Sequence, residues 1–128
     1  MTKFREFTLA SGTKIFLGKD SKTNDELMKK FSGKENLVLH TIAPGSGFCV
    51  IDNLQADKRE IKEAAIICAS KSQDWRENKK SVKLHLFRAK DAHKPKNLKQ
   101  GTWSITGKPK TIKAKKRDIK KWLLDNSN

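Results

Sequence analysis

A chain of 128 residues has room for one core but not for two, and its 35% hydrophobic residues fall in runs, which excludes a disordered chain. The formal net charge is +15, and residues 79–121 hold 16 Lys/Arg against Asp91 and Asp118 alone. A field this one-sided concentrates polyanions, so nucleic acid is the expected partner, with a solvated Lys-rich face or an anionic lipid surface as the alternatives.

Cys49 and Cys68 have neither zinc-ribbon nor disulfide-framework spacing and read as buried thiols. No stretch approaches the roughly 20 apolar residues of a membrane span. Met1-Thr2-Lys3-Phe4-Arg5 leads into no signal-type region, so a cytoplasmic protein is expected.

In chain order, Phe7-Thr8-Leu9 and Lys14 to Leu17 flank the turn-rich Ala10-Ser11-Gly12-Thr13 and predict a hairpin. Ser21 to Phe31 carries apolar positions 27, 28 and 31 at helical spacing and stops at Ser32-Gly33. Asn24 and Asp25 fall in its first turn, where either side chain can cap backbone N–H groups. Leu37 to Ile42 and Phe48 to Ile51 predict two strands around the loop Pro44-Gly45-Ser46-Gly47. Asp57 then caps a helix to Lys71 with apolar residues at 61, 64, 65, 68 and 69.

In the basic third, Val82, Leu84 and Leu86 alternate with polar neighbours as in a strand. Gly101 to Thr106 and Thr111 to Ala114 suggest a hairpin around Gly107. Ile119, Trp122 and Leu123 make the tail a basic amphipathic helix. The expected fold is α+β, one compact domain with a mixed or antiparallel sheet and two or three helices in the order ββαββαβββα. Residues 1–114 form the domain proper, and 115–128 the basic helix and tail.

Catalytic signatures are incomplete. Gly12 to Asp20 resembles a phosphate loop, but five residues instead of four separate the glycines, and Asp20 stands where a magnesium-binding Ser/Thr belongs. His40, His85 and His93 lack metal-ligand spacing, and His40, inside an apolar strand, suits a hydrogen-bonded core histidine. Ser46 and His40 have no orienting carboxylate at a recognisable spacing. No enzyme, cofactor or metal is expected.

For nucleic acid the residue types fit better. Lys90, His93, Lys94, Lys96 and Lys99 occupy a Pro-containing connection, followed by Trp103, Lys108 and Lys110. Loop cations follow a phosphate backbone, and an exposed Trp or His stacks a base, unless Trp103 belongs to the core. Beside them, Gly18 lets the chain at Lys19 approach a phosphate closely. Lys heavily outnumbers Arg, and Lys lacks the bidentate fork that reads guanine, so backbone and shape recognition are expected over sequence readout.

The order Gly12 to Lys19, Asn24-Asp25-Glu26-Leu27, His40, Pro44-Gly45-Ser46 and Val50-Ile51 resembles the NFACT-R pattern. Ala64-Ala65, Ser70-Lys71-Ser72, Lys79 to Val82 and Lys94-Pro95-Lys96 to Gly101 follow in the same order, so the similarity runs over about residues 7–114. Leu37-Val38-Leu39-His40 lacks the family's usual Trp-Phe, and Gly47-Phe48-Cys49 replaces its common Gly-Ser-His-Val.

The resemblance implies an RNA-binding domain of the kind found in ribosome-associated quality-control factors. Its implied partners are ribosomal or transfer RNA and the large ribosomal subunit. The motif loops it points to are Gly18, Asn24, Asp25, His40, Gly45 and Ser46. A membrane-associated relative with a similar opening implies DNA as the alternative. The chain has no room for the other modules of the full factors, so their tailing activity is not expected of it alone.

Overall fold

Ile15-Phe16-Leu17, Leu37-Val38-Leu39 and Cys49-Val50-Ile51 show no polar alternation, the pattern of strands covered on both faces. A computed structural model describes residues 4–127, and it sandwiches these strands in that way. The opening Met1-Thr2-Lys3 of the signal-region reading lies outside the described residues.

The elements are β1 (Arg5–Thr8), β2 (Lys14–Leu17), α1 (Ser21–Lys30), β3 (Leu37–Thr41), β4 (Cys49–Ile51), α2 (Lys58–Ser70) and α3 (Gln73–Asn78). They continue with β5 (Val82–Arg88), a 3-10 turn at Ala89–Asp91, β6 (Ala92–His93), β7 (Ser104–Ile105), β8 (Lys110–Ala114) and α4 (Lys116–Asp125). Six strands form one antiparallel sheet in the order β1-β2-β4-β3-β5-β8, and β6 pairs with β7 apart from it. The α+β expectation holds.

Alternation along each strand divides the core. Ile15, Leu17, Leu39, Cys49, Ile51, Val82 and Leu84 face α2 and α4, whereas Phe16, Val38, Val50 and Phe87 meet Leu27 and Met28 of α1. α2 begins as its sequence predicts, with the Asp57 carboxylate accepting from the Glu60 N–H at 3.0 Å. α4 is part of the same core. Ile119 is fully buried, and Trp122 meets Phe7 edge-on with ring centroids 6.0 Å apart. A side chain like Ile119 adds roughly 1.5–3 kcal/mol by leaving water.

Three expectations need correction. The hairpin around Gly107 does not form: β7 pairs with β6, and β8 crosses to the sheet edge against β5, with Ile112 opposite Leu84. Ile105 belongs to the α1 side of the core and Ile112 to the α2 side, so the two segments serve opposite faces. Among the described residues there are four α-helices where two or three are expected, because residues 73–78 form one of their own. α3 has a single buried side chain, Trp75, and therefore no periodicity; its signal is the cap, with Ser72 Oγ accepting from the Trp75 N–H at 3.2 Å. Finally, neither Asn24 nor Asp25 caps α1. Asp20 does so, accepting from the Thr23 N–H at 2.8 Å while Thr23 Oγ1 accepts from the Asp20 N–H at 3.0 Å.

Candidate nucleic-acid interface

With capping left to Asp20, Asn24 and Asp25 are free to tie distant loops to α1. Asn24 Oδ1 accepts from the Phe48 N–H at 3.0 Å, and the Gly18 N–H donates to the Phe48 carbonyl at 3.1 Å. The β2–α1 and β3–β4 loops are thus joined backbone to backbone. A Cβ on Gly47 would lie 2.1 Å from the Gly18 carbonyl oxygen, so glycine is required by contact. Gly47→Ala is expected to destabilise the fold by about 1–3 kcal/mol through overpacking, read as a lower urea midpoint at unchanged slope.

Ser46 holds the same loop from inside: its Oγ accepts from the Thr41 N–H at 3.2 Å and lies 2.8 Å from the Thr41 hydroxyl, which donates to the Ala43 carbonyl at 2.7 Å. Next to it His40 stacks on Phe48, ring centroids 4.4 Å apart. Burial lowers the His40 pKa, and His85 across the strand pair lowers it further against the opposing hydrogen bond at Ser46. The Gly45 carbonyl accepts from the Gln73 N–H at 3.0 Å, bringing the start of α3 to the loop.

Asp25 reaches the basic third of the chain. Its Oδ1 accepts from the Gly101 N–H at 3.0 Å and from the Trp103 indole N–H at 2.9 Å, with the Lys94 ammonium at 3.3 Å. The Lys94 ammonium also donates to the carbonyls of Lys99 and Thr102. Burial is the largest influence on the Asp25 carboxyl and raises its pKa; the Trp103 and Gly101 donors and Lys94 together outweigh it, leaving a net depression. Gly101, at φ +84°, presses against Ser21, whose Cα would sit 2.8 Å from an added Cβ. Residues 94–103 are therefore strapped onto α1.

These attachments enclose a cleft of about 370 Å³ between the Gly18-Lys19, Gly45-Ser46-Gly47 and Gln100-Gly101-Thr102 segments. Arg5, Lys19, Lys71 and Arg76 line it, and Asp20, committed to its cap, is the acid in the lining. Lys71 is held with its ammonium 5.3 Å from the Trp122 ring centre, and Arg76 donates to the Lys71 carbonyl at 3.0 Å. Four cations thus meet a polar backbone cradle, an arrangement whose chemistry suits an anion.

Of the residues singled out from sequence, Lys19, Gly18, Asn24, Gly45 and Ser46 come together at this cleft, while His40 stacks behind its floor. Trp103, His93 and Lys94 line a second pocket, and Lys96 and Lys99 are exposed on the strap. Lys90 is ion-paired with Glu35 at 2.8 Å. Lys108 and Lys110 line a groove with Leu37, at the other end of β3 from the Thr41–Ser46 contact. Arg5, Lys71, Arg76 and the 100–102 segment are not among the residues expected at the site. Charge density points past residue 78, and the usable signals are the family motifs Ser70-Lys71-Ser72 and Lys94-Pro95-Lys96 to Gly101.

A family model described as the NFACT protein RNA binding domain matches residues 3–107. The chain belongs to that family. This NFACT domain is 28% identical over 111 residues to the archaeal Rqc2 homolog aRqcH of Methanocaldococcus jannaschii, a match covering 82% of the chain and 16% of the relative. It is also similar to the solved C-terminal part of the fibronectin/fibrinogen-binding protein from Streptococcus suis, with 29% identity and a TM-score of 0.80 over 94% of this chain and 49% of that one. The chain thus spans about a sixth of the archaeal protein and half of the streptococcal fragment. Among the described residues, no helix is long and apolar enough to cross a membrane, and no cluster of His, Cys, Asp and Glu is suited to a metal.

Proposed function

We propose that this NFACT domain binds RNA by drawing backbone phosphates into the cleft beneath the 94–103 strap, reading backbone and shape, and that its target is ribosomal or transfer RNA in the cytoplasm. The observation that carries the reading is the convergence of four cations and three family-motif segments on one concave site. Family membership supports RNA as the polyanion. The relationship to an Rqc2 homolog supports a place beside the ribosome in quality control.

Co-purification of the tagged chain from lysate, with sequencing of the bound nucleic acid, tests this directly. Enrichment of ribosomal or transfer RNA is expected. Protein partners that persist after nuclease, with no RNA enriched, would favour a protein-interaction module instead.

We further infer that the domain binds without chemistry. Ser46 Oγ is hydrogen-bonded to both the N–H and the hydroxyl of Thr41 as a loop staple, and His40 lies flat on Phe48. The purified chain is expected to hydrolyse neither RNA, nucleotides nor esters; turnover abolished by Ser46→Ala would refute this.

A further inference from the structure

The 94–103 strap lines two pockets. Gln100, Gly101 and Thr102 wall the cationic cleft, where Ser21 at the start of α1 also lies. Trp103 lines a second pocket, with Lys29 near the end of the same helix and His93 and Pro95 from the strap side. From Ser21 to Lys29 is about 12 Å of helix, a gap that a short single strand can bridge.

Trp103 is built into this position. Part of its side chain packs against the α1 side of the core, and the indole N–H is fixed 2.9 Å from Asp25 Oδ1, which sets the orientation of the ring. The part left uncovered faces a pocket whose other polar members are Lys29, Ser32, His93 and Lys94, with Lys29 and His93 exposed. Lys94, by contrast, has its charge matched by Asp25 at 3.3 Å and serves to hold the strap. An aromatic plate already immobilised loses little entropy when a base stacks on it.

We propose that Trp103 is a stacking platform for an unpaired nucleobase of the RNA whose phosphates occupy the neighbouring cleft, so that this domain prefers single-stranded RNA or loops to duplex. The inference rests on the RNA-binding reading and adds a base subsite to it. Bases within an A-form helix are stacked on one another and do not offer a face to a tryptophan, so only splayed or single-stranded segments engage both pockets.

The test compares oligoadenylate of about ten nucleotides, within the usual site size for a single-strand groove, with an abasic ribose-phosphate oligomer of the same length. Both are titrated into the full chain at low salt. The wild type is expected to bind oligoadenylate more tightly than the abasic strand. Trp103→Leu, which keeps apolar packing, is expected to lose roughly 5- to 150-fold in affinity for oligoadenylate, the range for one stacked base, and nothing for the abasic strand. Trp103→Phe keeps most of the oligoadenylate affinity, because an aromatic face remains.

Equal binding of the two strands by the wild type, or equal losses on both in Trp103→Leu, would overturn the base subsite alone. Failure of the wild type to bind either strand would overturn the RNA reading itself. Should Trp103→Leu unfold, the wild-type comparison and Trp103→Phe still decide.

Discussion

Replacing Lys19 and Arg76 together with Gln is expected to weaken single-stranded RNA binding roughly 25-fold at 0.1 M salt, the effect of losing two counterion-releasing contacts relative to 1 M. The wild type, engaging phosphates through Arg5, Lys19, Lys71 and Arg76, should show log affinity falling against log salt with a slope near −3, and the double variant a slope near −1.4. Both cations are exposed on the surface, so thermal unfolding should barely change. Lys108→Gln with Lys110→Gln serves as the counterpart. Those lysines lie at the other end of the sheet, and their removal should leave the slope close to that of the wild type. The opposite ranking of the two double variants, measured by fluorescence anisotropy across a salt series, would move the interface to the Lys108–Lys110 groove.

Asp25→Ala should destabilise the domain by roughly 3 kcal/mol, well beyond the ~1 kcal/mol expected for a lost helix cap. The substitution strands the Gly101 and Trp103 N–H groups and leaves Lys94 without its counter-charge, all at a site where Asp25 is only 9% exposed. Asp25→Asn keeps an acceptor but loses the charge, and should fall between wild type and alanine. The depressed carboxyl pKa also has a pH consequence. Its stabilisation is fully present above the unfolded value of about 3.9 and is lost as pH falls through the lower folded value. Urea midpoints of wild type and Asp25→Ala should therefore converge in acid. A constant difference between them down to pH 2 would show that the charge of Asp25 is not what holds the strap.

Periodicity made most of this fold legible. α2 could be read because an apolar stripe and an aspartate cap agree over thirteen residues, and the central strands because their unbroken apolar runs demand cover on both faces. α3 could not, since six residues around one buried tryptophan carry no period. The 101–114 region went wrong for a different reason: a glycine between two strand-like segments suggests a hairpin, but which face each segment covers is decided by distant partners, Asp91 and β6 for one and β5 for the other.

The site was half legible. Motif order identified Gly18, Lys19, Asn24, Gly45 and Ser46, which do meet. Net charge drew attention to residues 79–121, yet Lys90 and Lys94 have their charges matched internally, while Arg5, Lys71 and Arg76 are placed at the cleft by tertiary contacts. Charge counted along a chain does not reveal which cations are already paired.

Asp25 and Gly101 are separated by 76 positions in the chain, with three of the central strands and two helices between them. Closing so long a loop is favourable only after the intervening sheet has formed. During synthesis, which proceeds from the N-terminus, the walls at Gly18 and Gly45 are made early, but the third wall does not exist until translation has passed Thr102. A nascent or truncated chain that stops short of Thr102 therefore carries the family's motif loops without the enclosed cleft.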